Sequence, residues 1–139
     1  MNRTIFFFSL IGLVISAFLA YEYLLPTPVV CPLGGTGCEA VRRSEYSHFL
    51  GISIPYLGVI FYLFIAGVSI FLTQSYKKII DLIRAAVALS GLLFGLYLTY
   101  LEAFKIHDYC FWCVSSFVVS GIIWLLASMS VLKKDENRN

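Results

Sequence analysis

Four apolar stretches, each close to the length of a membrane-spanning helix, take up most of this chain. Crossing a hydrocarbon core of roughly 30 Å takes about 20 apolar helical residues. The first stretch runs from about residue 5 to 24, broken only by small or weakly polar residues such as Ser9, Gly12 and Ser16. The others run from about 54 to 72, 85 to 101 and 111 to 132. Pro55 stands near the start of the second, where a proline is tolerated because that N–H has no helical partner. Composition closes the argument: 60% of the 139 residues are hydrophobic and only 13% are charged. A soluble domain of this size buries only about two thirds of its chain's surface. Lipid must be the solvent for the rest.

The connections between the stretches are one long loop (about 26 to 53) and two short ones (about 73 to 84 and 102 to 109). Short connections imply antiparallel neighbours, so the expected fold is an all-α membrane protein, a single four-transmembrane-helix bundle over 1–139. Gly58, Gly67, Gly91, Gly95 and Gly121 are the small residues that let membrane helices approach closely. Lys and Arg concentrate on the cytoplasmic side. Arg3, Lys77, Lys78, Arg84, Lys133, Lys134 and Arg138 fall on one side; Arg42, Arg43 and Lys105 fall on the other. Both termini are therefore expected in the cytoplasm, with the first and third loops outside. Arg3, the apolar run and Ala20 also fit a signal peptide, but the run is long for one and no A-x-A site follows. A net charge of +2 with no basic stripe excludes a nucleic-acid partner.

That topology puts all four cysteines on one face. Cys31 and Cys38 lie in the long loop, inside CPLGGTGC; Cys110 and Cys113 form CFWC where the third loop enters the last span. An outer, oxidising face is where disulfides persist. The loop pair, separated by three glycines and a proline, can bend back to close a mobile disulfide. The CxxC pair has the geometry of a dithiol oxidoreductase, with a helix N-terminus favouring a Cys110 thiolate and Cys113 one turn deeper. A zinc site would use the same CxxC spacing, but no second CxxC or histidine pair accompanies it, so no metal is expected. Two purely structural disulfides in a non-catalytic membrane protein remain as an alternative. A transporter would need ionisable residues within its spans, and the central stretches hold none.

At these residues the chain resembles the vitamin K epoxide reductase family, in particular its small bacterial and archaeal members. The resemblance rests on Cys31 and Cys38 in the first loop, on GCEAVRRSEYSHFLGISIPYLGV, and on CFWC heading the last helix. The wide pair precedes the CxxC, the reverse of the DsbB-type oxidases. Such a resemblance implies a quinone of the menaquinone, ubiquinone or phylloquinone type as electron acceptor. It also implies a relay in which a thioredoxin-fold, DsbA-like partner reduces Cys31–Cys38, Cys38 attacks Cys110, and Cys113 delivers the electrons. Ser44 falls on the family's loop serine and would bond near the cysteines. Segment 39–50 would be a short amphipathic helix capping the site, with Val41, Tyr46, Phe49 and Leu50 facing lipid or the quinone. Phe117 stands where vertebrate members carry a tyrosine, so a phenyl ring replaces a hydrogen-bond donor there. That favours quinone reduction over the alternative of dithiol-driven vitamin K epoxide reduction. No fused thioredoxin-like domain is read after Lys133, so the partner is expected to be separate.

The remaining polar residues are less decided. Glu22 and Glu102 stand near the outer helix ends, either beside the quinone as proton acceptors or solvated at the interface. His48 and His107 read as surface loop residues, and Arg42 and Arg43 as anchors for lipid phosphates or as neighbours favouring thiolates. Tyr21, Tyr23, Tyr97, Tyr100, Tyr109 and Trp112 form an aromatic belt, with Trp112 also able to touch the quinone.

Overall fold

The computed structural model describes residues 1–32 and 34–139; Leu33, inside the CPLGGTGC stretch, lies outside the described residues. Four long apolar helices dominate it: α1 (Asn2–Leu24), α3 (Ile54–Gln74), α4 (Lys78–Leu101) and α5 (Phe111–Glu136). A short helix, α2 (Gly37–Arg43), stands in the first loop. Large apolar side chains such as Ile60, Leu63, Leu93, Leu96, Leu125 and Met129 point outward from the spans. In water such a surface would aggregate, whereas in a bilayer it is the lipid-facing wall. The chain is a multi-pass membrane protein built as a helical bundle.

Helix α1 packs against α3 and α5, and α4 against α5. Small residues make the close approaches, as expected where no hydrophobic effect drives helices together. Gly12 of α1 lies directly against the Tyr62 ring of α3. The Tyr62 hydroxyl in turn donates to the Ser116 carbonyl of α5 at 2.9 Å. Ile5, Tyr62, Ile65, Ala88, Ile123 and Ala127 form the buried centre.

Two expectations about element bounds need correction. The third span does not begin near 85: α4 starts at Lys78, and the connection from α3 shrinks to a few residues. Asp81 and Arg84, read as loop charges, belong to the helix and are fully buried. They are tolerated because they pair with each other at 2.5 Å, one turn apart. Arg84 also donates to Asn2 of α1 and Ser69 of α3, while Asp81 accepts from Tyr76 and from Ser130 of α5. All four spans meet in this network, at the end of the bundle that carries both termini. The last helix likewise runs on to Glu136, with Lys133 and Lys134 in its final turn beside the carbonyl end of the helix dipole.

The second correction concerns segment 39–50, which is not one amphipathic helix. Helix α2 begins earlier, at Gly37, and ends at Arg43. Ser44 is extended, and its hydroxyl turns back to the Val41 carbonyl at 2.7 Å, which closes the helix. A 3₁₀ turn (Glu45–Ser47) then leads into a small hairpin, β1 (His48–Phe49) paired with β2 (Ile52–Ser53). Its two-residue turn, Leu50–Gly51, has positive φ at both positions, 52° and 83°. That is the backbone a tight hairpin requires, and only the glycine adopts it without cost.

Candidate functional site: a sulfur chain beside an apolar cavity

The end of the bundle away from the termini gathers all four cysteines. Cys38 sits one residue into α2, and Cys110 immediately precedes α5; both are almost fully buried. What brings them together is a glycine. Gly37 lies against the backbone carbonyl of Tyr109, so close that a β-carbon there would collide with it. The residues that follow these two contacts are Cys38 and Cys110. Sequence reading took this glycine for loop flexibility; its position directly before a cysteine was the only available sign of its role.

The sulfurs form a continuous series. Cys31 and Cys38 Sγ are 2.7 Å apart, and a bonded pair at about 2.05 Å is a small displacement away. Cys38 and Cys110 belong to one buried cluster, against which Cys31 and Cys113 pack. No disulfide is formed among the four. Leu19, Val29 and Val41 enclose this chain, with Tyr23, Ile106 and Trp112 around them.

Loop-to-helix bonds hold the enclosure shut. Trp112 Nε1 donates to the Val30 carbonyl at 2.9 Å, fixing the CFWC segment to the stretch before Cys31. Glu39 accepts from the Val29 N–H and from Arg43, and Glu22 accepts from the Val30 N–H. Arg42 donates to the carbonyls of Leu25 and Thr27, at 2.7 and 2.8 Å, just past the end of α1. Its guanidinium is therefore engaged with backbone, as a clamp between α2 and α1. Glu22 is buried as well, which sets aside its reading as a solvated helix-end residue.

The electrostatics separate the thiols. Cys110 is lowered to about 7, first because the Cys113 thiol donates to it, with the Cys113 backbone N–H and the Cys38 thiol adding to the effect. Burial opposes this and loses. The expected helix-end stabilisation is thus exceeded by a neighbouring S–H. Cys38 is pushed well above the ordinary thiol range, chiefly by burial and then by its bond to Cys31. A central thiolate flanked by two thiol donors is the charge pattern of a poised exchange site.

Beside this chain lies a cavity of about 510 Å³ between α1, α3, α4 and α5. Its wall is mostly apolar and includes Phe49, Trp112 and Phe117. Of the four cysteines, Cys113 alone lines it. Phe49 reaches it from the hairpin and packs edge-on to Phe94 at 5.7 Å. The Phe117 ring lies over Gly95, where a β-carbon would come within 2.8 Å of it. Ser44 lines a smaller adjoining cavity with Cys113 and Glu102, but its hydroxyl is committed to Val41 and not to a cysteine. His48 pairs with Ser47, away from the sulfurs.

A sequence model of the vitamin K epoxide reductase family matches residues 3–128, which takes in all four cysteines and reaches into the last of the four spans. The chain belongs to the vitamin K epoxide reductase family. Membership makes it a membrane redox enzyme of that family's thiol–disulfide and quinone chemistry. For a quinone, the fit of this vitamin K epoxide reductase relative is good on size and character. Its cavity falls in the range of small-molecule sites, roughly 300–1,000 Å³, and offers aromatic faces next to a thiol. Among the described residues no group of three or more His, Cys, Asp or Glu is arranged to hold a metal ion.

Proposed function

We propose that the protein oxidises a separate thioredoxin-fold, DsbA-like thiol protein outside the cytoplasm and passes the electrons to a membrane quinone. The observation that carries this reading is the series Cys31–Cys38–Cys110–Cys113 with Cys113 alone at the cavity. Seven Lys and Arg residues at the terminus-bearing end, six of them besides the buried Arg84, against Arg42, Arg43 and Lys105 at the other, favour cytoplasmic termini and outward cysteines.

The exchange steps follow from thiolate chemistry. A partner thiolate attacks the Cys31–Cys38 disulfide at Cys31, forming a mixed disulfide and releasing Cys38. Cys38 then attacks Cys110 of the Cys110–Cys113 disulfide, and Cys113 leaves as the thiol facing the cavity. The second partner thiol displaces Cys31, which returns to Cys38 and releases Cys110. Cys110, low in pKa, is a good leaving group in that step. A bound quinone supplies a sink for two electrons and two protons. Phe49, Trp112 and Phe117 would hold its ring, and Phe117 would do so by packing alone. With no hydroxyl at that position, quinone reduction is favoured over epoxide chemistry.

Cysteine trapping tests the scheme. In Cys38→Ala, Cys31 is a free thiol that opens the disulfide of the oxidised thioredoxin-fold partner, and with no Cys38 to displace that partner a mixed disulfide at Cys31 should accumulate on non-reducing gels. If none accumulates, and dithiol-dependent quinone reduction also survives Cys113→Ala, the relay is wrong.

A further inference from the structure

Glu102 is the one acidic side chain at the cavity, and it is 2% exposed. It opens the π-helical segment Glu102–Ile106 that extends α4, a local widening that turns its carboxyl group toward the start of α5. There Oε2 accepts the backbone N–H of Cys110 at 3.2 Å. The same carboxyl shares the walls of both cavities with the Cys113 thiol. It takes part in no ion pair among the described residues. A carboxyl group with one N–H donor, one thiol and no cation is free to exchange a proton.

Ser16 apart, the other hydrogen-bonding side chains of the cavity are already engaged, and a serine hydroxyl does not exchange a proton near neutral pH. Ser90, Thr99 and Ser120 donate to carbonyls of their own helices, and Tyr62 to Ser116. Trp112 donates to Val30. The remaining titratable groups around Glu102 are Tyr23, Tyr46, Cys110 and Cys113, none of them a carboxyl or an imidazole.

We infer that Glu102 carries a proton in the last electron transfer, taking it from the Cys113 thiol and delivering it to the acceptor's oxygen in the cavity. This rests on the reading of Cys113 as the final electron donor. Closing the Cys110–Cys113 disulfide releases two electrons and two protons, and reduction of a quinone to a hydroquinone consumes the same. Cys110 enters as a thiolate, its proton already in water. The Cys113 proton moves to a Glu102 carboxylate oxygen and from there to one quinone oxygen. The second oxygen takes its proton from water, and the electron pair leaves the two sulfurs as their bond forms.

The test uses the full chain in lipid nanodiscs, pre-reduced and mixed with a short-chain ubiquinone in a single turnover. Glu102→Gln keeps an oxygen to accept the Cys110 N–H but cannot exchange a proton. Its rate should fall about 100-fold, the usual range for losing a general acid–base group, and Glu102→Asp should recover much of it. A second readout needs no quinone: the infrared difference between reduced and oxidised protein should contain a carboxyl band that vanishes in Glu102→Gln. Wild-type turnover in Glu102→Gln, or a carboxyl band that persists in it, would overturn the inference while leaving the relay intact. If wild-type protein itself reduces no quinone, the proposed function fails; a carboxyl band tracking the cysteines would still support the proton link.

Discussion

At the end of the bundle that carries both termini, Asp81 is held by Arg84, Tyr76 and Ser130, while Arg84 reaches Asn2 and Ser69 as well. At the other end of the same helix, Glu102 has one backbone donor and a thiol on the same cavity wall. Both carboxyl groups are buried, yet only Asp81 has a cation beside it. Removing charge from water is tolerated where a partner and several hydrogen bonds replace the lost hydration. The Asp81–Arg84 end therefore reads as a fixed joint between four helices. The Glu102 end keeps its carboxyl available, next to sulfurs that must exchange protons to work. One helix carries an ion-paired carboxyl group at its start and one without a cation at its finish.

The largest effect should come from breaking the joint. Asp81→Ala leaves Arg84 buried without its counter-ion, a change that typically costs about 3–5 kcal/mol. Thermal unfolding in detergent should show a large drop in Tm, while folded protein keeps its thiol chemistry. The double replacement Asp81→Leu with Arg84→Met should recover much of the loss. Equal damage from the single and double variants would show that the joint is not an ion pair in effect.

At the cysteine end, Gly37→Ala should separate Cys38 from Cys110, because its β-carbon meets the Tyr109 carbonyl. A misplacement of about 1 Å can cost roughly 100-fold in rate. Electron transfer from the loop pair to the CxxC pair, followed by quench and thiol labelling, should slow by that order, with Tm little changed. An unaltered transfer rate would remove Gly37 from the site.

The charge pattern gives a pH signature of similar size. In reduced protein the Cys110 thiolate is present above about pH 7 and is lost as pH falls through that value. Below it, each pH unit lowers the thiolate fraction about tenfold. Cys110 alkylation, read by mass spectrometry, should therefore climb steeply to about pH 7 and then level, while Cys38 stays unlabelled. A midpoint in the ordinary thiol range would sink the three-sulfur arrangement. The smallest effect belongs to Trp112→Phe, which loses the bond to Val30 at a cost of about 1 kcal/mol. Hydrogen exchange of residues 29–31 should rise modestly.

The four spans, the helical bundle and the family were legible in the sequence, since hydropathy, cysteine placement and the GCEAV–CFWC motifs are local patterns. Asp81 and Arg84 were not, because a charged pair one turn apart looks like a loop until its burial is known. Gly37 escaped for a related reason: its role comes from Tyr109, distant in sequence. Glu102 was legible as a candidate proton acceptor, but its bond to the Cys110 N–H across a π-helical turn was not. The hairpin at His48–Ser53 was hidden because Val41, Tyr46, Phe49 and Leu50 also fit one face of a helix. What decided it was Ser44 folding back on Val41 and the positive φ at Leu50 and Gly51.

The central claim is that electrons leave through Cys113. Purified protein supplied with a small dithiol and a short-chain ubiquinone tests it directly, because the small dithiol can reduce the CxxC pair without the loop. The double variant Cys31→Ala with Cys38→Ala should still reduce the quinone, and Cys113→Ala should show no reduction above background. Quinone reduction that persists in Cys113→Ala, or that disappears with the loop pair alone, would contradict the account.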